Sequence, residues 1–333
     1  MQAPLVSVIV LNYNGKEYIE RCLRSVLDND YPCFEVILVD NASTDGSVEL
    51  AERLFGSDPR LRIVRNERNL GFCVGYNIGF KLAKGKYVIA LNQDTEVQRG
   101  FIRELVKVAE SDDTVASVGC RVVQPDGTIL YRPLFTRSGI ILKIPHLPSL
   151  YERPMTNLAN CGCASLYRKS VIDEIGGFDP LFWMDREDHD LGYRVNLCGF
   201  RSVFTPTTTV KHWGGGAYKG MGLGRYVRIC RNILFTYFKN YEAKNLVLRL
   251  PMAVAYLFVI RLFKLIFNEL GIMGKVTLLE RRTPRSETRK EFLAFFGGLL
   301  AFLRDLRPVV AERARVQSLR TTPDSYIFSV TKL

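Results

Sequence analysis

Carboxylate and amide side chains follow three predicted buried strands, at the point where each strand ends. Asn12 follows the run LVSVIVL, Asp40 follows FEVILV, and Asn92 and Asp94 follow KYVIAL. A single polar residue after a strand usually serves only to form a turn. Three strand ends with such groups favour a shared ligand crevice, because ligands of open α/β sheets bind beyond the carboxyl ends of the strands.

A second concentration of acids occupies residues 185–190 (DREDHD), directly after the apolar residues 182–184. The spacing of Leu191, Val195 and Cys198 predicts that a helix begins here. Acids in a first helical turn are favoured by the helix dipole, which accounts for an excess of acids without any catalysis. A carboxylate at such a place can also serve as a general base.

Strand and helix patterns alternate in the N-terminal part of the chain. Apolar, β-branched runs predict strands at 5–11, 34–39, 61–64 and 86–91, and helical spacing predicts helices at 16–28, from 43 to 54, and at 72–83. Strands that are apolar throughout and alternate with helices imply a mostly parallel sheet covered on both faces. The expected fold class is therefore α/β and Rossmann-like.

Several functional classes are disfavoured by what the sequence does not contain. The segment 71–75 lacks the GxGxxG spacing and follows a third strand, which disfavours hydride chemistry, and no GxxxxGK[ST] phosphate loop occurs. The eight cysteines are scattered without CxxC pairs, as is typical of reduced thiols in a cytosolic protein. The first residues, MQAPLVSVIVLNYNG, do not resemble a signal peptide, so we expect none.

The formal net charge of +12 belongs to the last third of the chain. Residues 1–215 hold 25 Lys+Arg and 26 Asp+Glu, a net of −1, whereas residues 216–333 hold 21 and 8, a net of +13. The stretch 246–270 is strongly apolar, but its longest charge-free run, 250–260, has 11 residues. A membrane span needs about 20, so we expect a helix that lies in the headgroup region, where anionic lipid attracts Lys and Arg.

A second apolar segment, 292–303, follows a cluster of basic residues and extends the same pattern. The alternatives are two amphipathic core helices with basic flanks or, least favoured, a nucleic-acid surface. We expect an anionic membrane surface as a partner and no nucleic acid.

An ordered series of motifs resembles the family 2 glycosyltransferases of the GT-A fold. The motifs are residues 6–14 (VSVIVLNYN), 39–47 (VDNASTDGS), 69–72 (NLGF), 91–95 (LNQDT), 176–179 (GGFD) and 187–191 (EDHDL). The resemblance covers roughly residues 5–216. Within the family, the Asn-x-Asp motif and the Glu-Asp-x-Asp segment resemble bacterial rhamnosyltransferases and galactofuranosyltransferases.

The resemblance implies a site for a nucleotide-sugar donor. It assigns base binding to Leu11 through its backbone, Tyr13 by stacking and Asp40 as an acceptor, with Asn12, Asn69 and Asn92 lining the same site. The last acid of the family's Asp-x-Asp signature falls on Asp94, which would coordinate Mg²⁺ or Mn²⁺ on the donor diphosphate. His212 matches a position that completes the metal site in some relatives. Since Asn92 replaces the first acid, one negative ligand is lost.

The acidic cluster acquires a specific role by resemblance. Inversion at a sugar carbon requires a base opposite the leaving group, and the resemblance assigns this base to Asp188. We hypothesise that Glu187 and Asp190 position the acceptor or hold Asp188 by hydrogen bonding. The glycine-rich segment 214–224 is expected to be flexible and to close over bound donor.

The sequence therefore predicts an inverting, metal-dependent glycosyltransferase at the cytoplasmic face of the cell membrane. Residues 1–215 would form the catalytic domain, with a nucleotide-binding half at 1–96 and an acceptor half at 97–215, and residues 216–333 a basic, helical membrane-surface region. The expected reaction moves rhamnose from a nucleoside diphosphate to a hydroxyl of a lipid-linked or cell-surface glycan. The alternatives are a galactofuranosyl- or other hexosyltransferase and a noncatalytic membrane-associated scaffold.

Overall fold

The computed structural model describes residues 2–130, 134–135, 141–142, 152–214, 222–270 and 284–330. These residues fall into two compact units. The first comprises residues 1–137, 141–219 and 319–333, and the second comprises 138–140 and 220–318. The proposed boundary at residue 215, between a catalytic domain and a membrane-surface region, stays a prediction. The predicted flexible segment 214–224 lies largely outside the described residues.

The first half of unit 1 alternates strand and helix as the sequence predicts. Its elements are β1 (Val6–Asn12), α1 (Ile19–Leu27), β2 (Phe34–Asp40), α2 (Ser47–Phe55), β3 (Leu61–Arg65), α3 (Gly71–Leu82) and β4 (Tyr87–Asn92). Strands β1, β2 and β4 are buried along almost their whole length, as expected for a sheet that helices cover on both faces, whereas the edge strand β3 is partly exposed. The predicted α/β fold class is confirmed.

The second half of unit 1 is less regular. Its elements are β5 (Thr95–Val97), α4 (Phe101–Ala109), β6 (Val115–Val123), β7 (Ile129–Leu130), β8 (Leu134–Phe135), β9 (Ile141–Leu142), β10 (Met155–Asn157), β11 (Ala164–Arg168), α5 (Lys169–Ile175), α6 (Glu187–Leu197) and β12 (Arg201–His212). Helix α6 begins at Glu187, so the helix start predicted within the acidic cluster is confirmed.

The main sheet of the described chain runs β10-β12-β6-β11-β4-β1-β2-β3. Strands β3, β2, β1 and β4 pair in parallel, whereas β11 is antiparallel to both β4 and β6. The register sets Asn12 opposite Asp40, and Leu11 opposite Asn92. The polar strand ends that the sequence indicated are therefore brought level with one another.

Unit 2 is a helical unit in its described part. It contains α7 (Gly222–Asn240), α8 (Ala243–Glu269), α9 (Arg285–Arg304) and α10 (Leu306–Leu319), with α10 ending at the unit boundary. A Cβ atom at Gly298 would lie 2.3 Å from the Cβ of Cys230, so glycine is what permits α9 to pack closely on α7. The following helix α11 (Asp324–Val330) belongs to unit 1, where it contacts α6.

Helix α8 is longer than the charge-free run 250–260 on which the sequence-based exclusion of a membrane span rested. Among the described residues it is the one helix long and apolar enough to cross a membrane by length and composition, and little of it is buried. The exclusion of a span because only 11 residues are free of charge was therefore too strict. Ala253, Leu257 and Arg261 form one buried face, and Arg261 donates to the Leu257 carbonyl at 3.1 Å, so the helix shields a charge that interrupts its sequence.

Candidate active site

The loop after β1 is held by a side chain from the loop after β4. The backbone N–H of Tyr13 donates to Oε1 of Gln93 at 2.5 Å, and Nε2 of Gln93 donates back to the Tyr13 carbonyl at 3.0 Å. A Cβ at Gly15 would lie 2.5 Å from Cδ of Gln93, so glycine is required there. The Tyr13 ring stays 36% exposed. Gln93 thereby fixes the backbone that presents the residue expected to stack on a base.

Asn12 and Asp40 form a buried network beneath that loop. Nδ2 of Asn12 lies 2.8 Å from Oδ1 of Asp40 and 2.9 Å from Oγ of Ser47. Asp40 also accepts from Ser43, from its hydroxyl at 2.5 Å and from its N–H at 3.0 Å. Both carboxylate oxygens of Asp40 are thus already hydrogen-bonded within the protein. The arrangement ties the loops after β1 and β2 together, which is how these two residues shape the crevice.

The NLGF motif supports a second wall of the crevice. Oδ1 of Asn69 accepts from the N–H of Gly71 at 2.9 Å. Gly71 has a φ of +80°, and a Cβ there would lie 2.5 Å from the indole of Trp183, so only glycine suits both its conformation and its neighbour. The N–H of Cys73 donates to the Trp183 carbonyl at 3.1 Å. The start of α3 therefore carries the segment that leads to the acidic cluster.

The turn before that cluster is held from the same helix. Asn77 on α3 accepts from the N–H of Phe178 at 2.9 Å and donates to its carbonyl at 2.6 Å. Trp183, Asp185 and Arg186 then adopt φ values of 61°, 68° and 72°. Left-handed conformations at residues other than glycine cost about 1–3 kcal/mol each and cluster at functional sites. The strained segment ends directly before Glu187.

Asp94 and His212 meet at the end of the sheet. Nε2 of His212 lies 3.3 Å from Oδ1 of Asp94, and both side chains are largely buried. Pairing of β12 with β5 sets His212 opposite Thr95, which brings the imidazole to the Asp94 carboxylate. Burial lowers the pKa of His212, but the hydrogen bond and charge of Asp94 outweigh burial and raise it overall.

This carboxylate and imidazole fit part of a divalent metal site. Carboxylate oxygen suits Mg²⁺ and Mn²⁺, and an imidazole nitrogen is a common metal ligand. Among the described residues, no three His, Cys, Asp or Glu side chains form a complete cage. The remaining ligands would have to come from water and donor phosphate. Asn92 does not join the pair through Oδ1, which accepts from the buried hydroxyl of Tyr76 at 3.0 Å.

Residues 161–163 connect the end of β4 to the acidic cluster. The N–H of Asn92 donates to the Cys163 carbonyl at 2.9 Å, and the N–H of Gly162 donates to Oδ2 of Asp188 at 3.0 Å. A Cβ at Gly162 would lie 3.2 Å from Cβ of Asp188 and 3.4 Å from Oε1 of Glu187, a crowded position. Glycine therefore allows the backbone to approach both carboxyl groups closely.

Glu187 and Asp188 are neighbouring acids with opposite pKa shifts. Burial raises the pKa of Glu187 well above its usual range, and the negative charge of Asp188 adds to the effect. Burial would also raise the pKa of Asp188, but the charge and hydrogen bond of His189, with the N–H of Gly162, lower it to about 2. Within the pair, Asp188 therefore loses its proton at a lower pH than Glu187 does. Oε2 of Glu187 is buried without a hydrogen-bond partner.

Asp190 is directed into the interior of unit 1. Its Oδ2 accepts from Nε of Arg194 at 2.9 Å, and the two side chains are 0% and 1% exposed. Nη1 of Arg194 continues to the Ile175 carbonyl at 3.0 Å. Asp190 thus joins α6 to the end of α5, which favours a structural role over contact with an acceptor.

Sequence reasoning missed three residues of this site. Gln93 occupies the variable position of the Asn-x-Asp motif, His189 the variable position of the Glu-Asp-x-Asp segment, and Gly162 lies in a strand-like run of small residues. The contacts of Gln93 and Gly162 join loops that are 80 and 26 residues apart in sequence, whereas His189 contacts its neighbour Asp188. A polar side chain inside a motif was the one available signal, and it applies to Gln93 and His189.

Residues 7–176, just over half of the chain, match the sequence profile of glycosyl transferase family 2. The chain belongs to this family. An uncharacterized glycosyltransferase of Haemophilus influenzae is 34% identical over 178 residues, which are 51% of this chain. The chain spans 54% of that relative's length. An N-acetylglucosaminyl-diphospho-decaprenol L-rhamnosyltransferase of Mycobacterium tuberculosis is 28% identical over 62% of this chain and 76% of its own length.

Solved structures of other proteins share this fold. The mannosyltransferase PcManGT of Pyrobaculum calidifontis, in complex with GDP-Man and Mn²⁺, superposes with a TM-score of 0.59 over 91% of this chain and 88% of its own, at 20% identity. Residues 1–349 of S. aureus TarS, in complex with UDP-GlcNAc, give a TM-score of 0.56 over 97% and 92%, at 19% identity. The predicted GT-A fold is confirmed.

Proposed function

We propose that the protein is an inverting, metal-dependent glycosyltransferase that moves a sugar from a nucleoside diphosphate to an acceptor hydroxyl. The observation that carries the proposal is the continuous link from Asn92 through residues 161–163 to Asp188. We infer from this link that the Asp188 carboxylate, whose pKa is lowered to about 2, shares a crevice with the strand end that bears Asp94. Family membership supports the reaction class.

Asp188 is the base in this proposal. As the acceptor oxygen bonds to the anomeric carbon, the bond from that carbon to the donor diphosphate breaks, and Asp188 takes the hydroxyl proton. Glu187, whose pKa is raised by burial, can donate to an acceptor oxygen through Oε2 when it is protonated. Glycine at position 162 allows its backbone to approach the two acids closely.

The donor would bind across the ends of β1, β2 and β4. Tyr13 offers an exposed ring to the base, with Leu11, Asn12 and Asp40 shaping the loops around it and Asn69 and Asn92 lining the site. Asp94 and His212 would hold Mg²⁺ or Mn²⁺, whose chemistry when bound is to neutralise charge on the leaving diphosphate. PcManGT was crystallised with Mn²⁺, which supports use of a divalent metal.

Rhamnose is the favoured sugar, and a lipid-linked or cell-surface glycan is the favoured acceptor. The mycobacterial relative is named as a rhamnosyltransferase that acts on a lipid diphosphate, and it matches 62% of this chain. The alternative is galactofuranose or another hexose on the same fold. A noncatalytic scaffold is disfavoured because it has no need for a strained segment that presents two buried acids.

We further propose that unit 2 binds the anionic cytoplasmic face of the cell membrane. Two exposed apolar stripes support this: Leu248, Met252, Val259, Phe263 and Ile266 on α8, and Leu293, Phe296, Leu300 and Leu303 on α9. Successive members are three, four or seven residues apart, so each stripe follows one face of its helix. Together with the net charge of +13 on residues 216–333, the stripes suit helices lying among anionic headgroups.

Donor screening tests the catalytic proposal. Nucleotide sugars with Mn²⁺ should raise the melting temperature, because a ligand at 100 times its Kd stabilises the folded state by about 2.7 kcal/mol. Asp94→Asn should abolish the metal-dependent part of this rise in melting temperature. Asp188→Asn should keep the rise in melting temperature but lose sugar transfer. A protein that no nucleotide sugar stabilises would contradict the proposal.

Vesicle binding tests the membrane proposal. The protein should bind vesicles that contain phosphatidylglycerol, and Leu300→Asp with Leu248→Asp should weaken binding while sparing donor binding. Alkaline carbonate should release the protein from membranes, whereas a spanning α8 would resist extraction. Binding to generic DNA that exceeds vesicle binding would favour the nucleic-acid alternative.

A further inference from the structure

The proposed base is contacted twice by the residue that follows it. Oδ1 of Asp188 accepts from the backbone N–H of His189 at 2.8 Å and lies 2.9 Å from Nδ1 of the same residue. Oδ2 accepts from the N–H of Gly162 at 3.0 Å. The His189 and Asp188 side chains are 10% and 17% exposed, so little water competes for these contacts.

We propose that His189 is a positioning residue for the reaction, which holds Oδ1 of Asp188 through its backbone N–H and its imidazole, 2.9 Å away, and leaves Oδ2 to take the acceptor proton. The inference rests on the proposed transferase activity and on Asp188 as the base. Oδ2 accepts from the backbone N–H of Gly162 and keeps a further lone pair for the acceptor proton. A carboxylate fixed at one oxygen presents the other in a constant direction, and orientation of this kind contributes much of an enzyme's rate.

The charges around Asp188 show why such support is needed. Glu187 and Asp185 are acids on the same segment, and Arg186 is the nearby cation. From the neighbouring strand and loop, the Tyr167 phenol and the Cys161 thiol also interact with Asp188. Burial and the added negative charge of its neighbours would favour a protonated carboxyl group, which cannot act as a base.

His189 opposes that tendency more than any other group. Its charge and its hydrogen bond are the two largest contributions that lower the pKa of Asp188, ahead of the Gly162 N–H and Arg186. The proton that Asp188 takes during transfer is returned to water after the product leaves. His189 thereby restores the ionised base for the next turnover.

Two substitutions separate the geometry of His189 from its charge. The amide of His189→Asn can still donate to Oδ1 but carries no charge, whereas His189→Leu removes donor and charge at similar volume. With donor and acceptor saturating, we expect kcat of H189L to fall about 10- to 100-fold. We expect H189N to stay within about fivefold of wild type at pH 8. Donor Kd, measured by thermal shift with Mn²⁺, should change less than about twofold in both.

The pH profile gives a readout that a purely structural role would not move. Without the positive charge, the acid limb of kcat/KM should move to higher pH in both variants. Wild-type kcat and an unmoved acid limb in H189L would overturn the inference, as would equal losses of kcat and melting temperature in H189L and H189N. Should H189L not fold, the acid limb of H189N alone decides.

Failure of this inference differs from failure of the proposed function. If wild-type protein transfers no sugar, the proposed function fails. If wild type transfers sugar, Asp188→Asn does not, and the His189 variants match wild type in rate and pH profile, only the role of His189 fails.

Discussion

Replacing Asp190 should destabilise unit 1 strongly without touching the chemistry directly. The Asp190→Asn change removes the negative partner of Arg194, whose side chain is 1% exposed. The guanidinium keeps its bond to the Ile175 carbonyl but loses the carboxylate at 2.9 Å. Breaking a buried ion pair by removing one partner costs about 3–5 kcal/mol, because a buried charge is left uncompensated.

The expected loss is large enough to measure by thermal and chemical unfolding. For a unit of this size, 3–5 kcal/mol corresponds to a fall in melting temperature of about 6–20 °C. Both tryptophans of the chain, Trp183 and Trp213, lie in unit 1, so their fluorescence follows the unfolding of this unit during urea titration. Asp188→Asn, in the same helical turn, is the matched comparison: we expect a smaller change in stability and a much larger loss of sugar transfer.

A double substitution tests the reasoning about charge. In Asp190→Leu with Arg194→Met both charges are gone, and apolar replacements of buried pairs are often neutral or stabilising. We therefore expect the double variant to recover most of the stability that D190N loses. The reasoning is refuted if D190N melts within about 2 °C of wild type, which corresponds to less than about 1 kcal/mol. It is also refuted if the double variant is less stable than D190N.

Three further predictions concern the crevice. Glu187→Gln should gain stability relative to wild type as the pH rises above about 4.3, where an unfolded glutamate ionises. The reason is that the raised pKa of Glu187 makes the native state of wild type bind the proton more tightly than the unfolded state does. Urea titrations at about pH 4 and pH 7.5 check this against the exposed Glu174→Gln variant, and a pH-independent difference in stability would contradict it. Gly162→Ala should lower kcat about 10- to 100-fold by displacing Asp188, whereas Gly100→Ala, whose Cβ would meet only the end of the flexible Arg103 side chain, should not; equal rates in steady-state assays would refute this. Gln93→Ala should raise the donor Kd about tenfold, because the loop that carries Tyr13 loses both of its hydrogen bonds to Gln93. Calorimetry compares this variant with Gln98→Ala as the control. An unchanged Kd would show that the loop keeps its shape without Gln93.

The strands and helices of the first ninety residues could be predicted because their signals are local. The apolar run before Asn12 and the helical spacing after Lys16 fix element type within a few residues: β1 ends one residue beyond its predicted range, and α1 lies inside its own. The mixed second half of the sheet could not be predicted in the same way. There β11 inserts antiparallel between β4 and β6, a choice made by pairing partners far apart in sequence.

The length of α8 shows a limit of reasoning from charges in sequence. Arg261 interrupts the apolar run, but in the helix it is buried beside Leu257 and donates to that residue's carbonyl. A count of charge-free residues stops at every charged residue. In the folded helix, the long side chain of an arginine can instead lie along the protein surface with its charge hydrogen-bonded.

The sequence by itself determined the family motifs, the parallel half of the sheet and the polar residues at its strand ends. Each depends on residue type and short-range periodicity. Only the tertiary structure decided how the acids of residues 187–190 divide their roles. Glu187, Asp188 and Asp190 are chemically alike and nearly adjacent, yet burial raises the pKa of Glu187, His189 lowers the pKa of Asp188 against the effect of burial, and Arg194 makes Asp190 half of a buried ion pair. Their protonation and direction depend on partners from other elements, which the order of residues does not reveal.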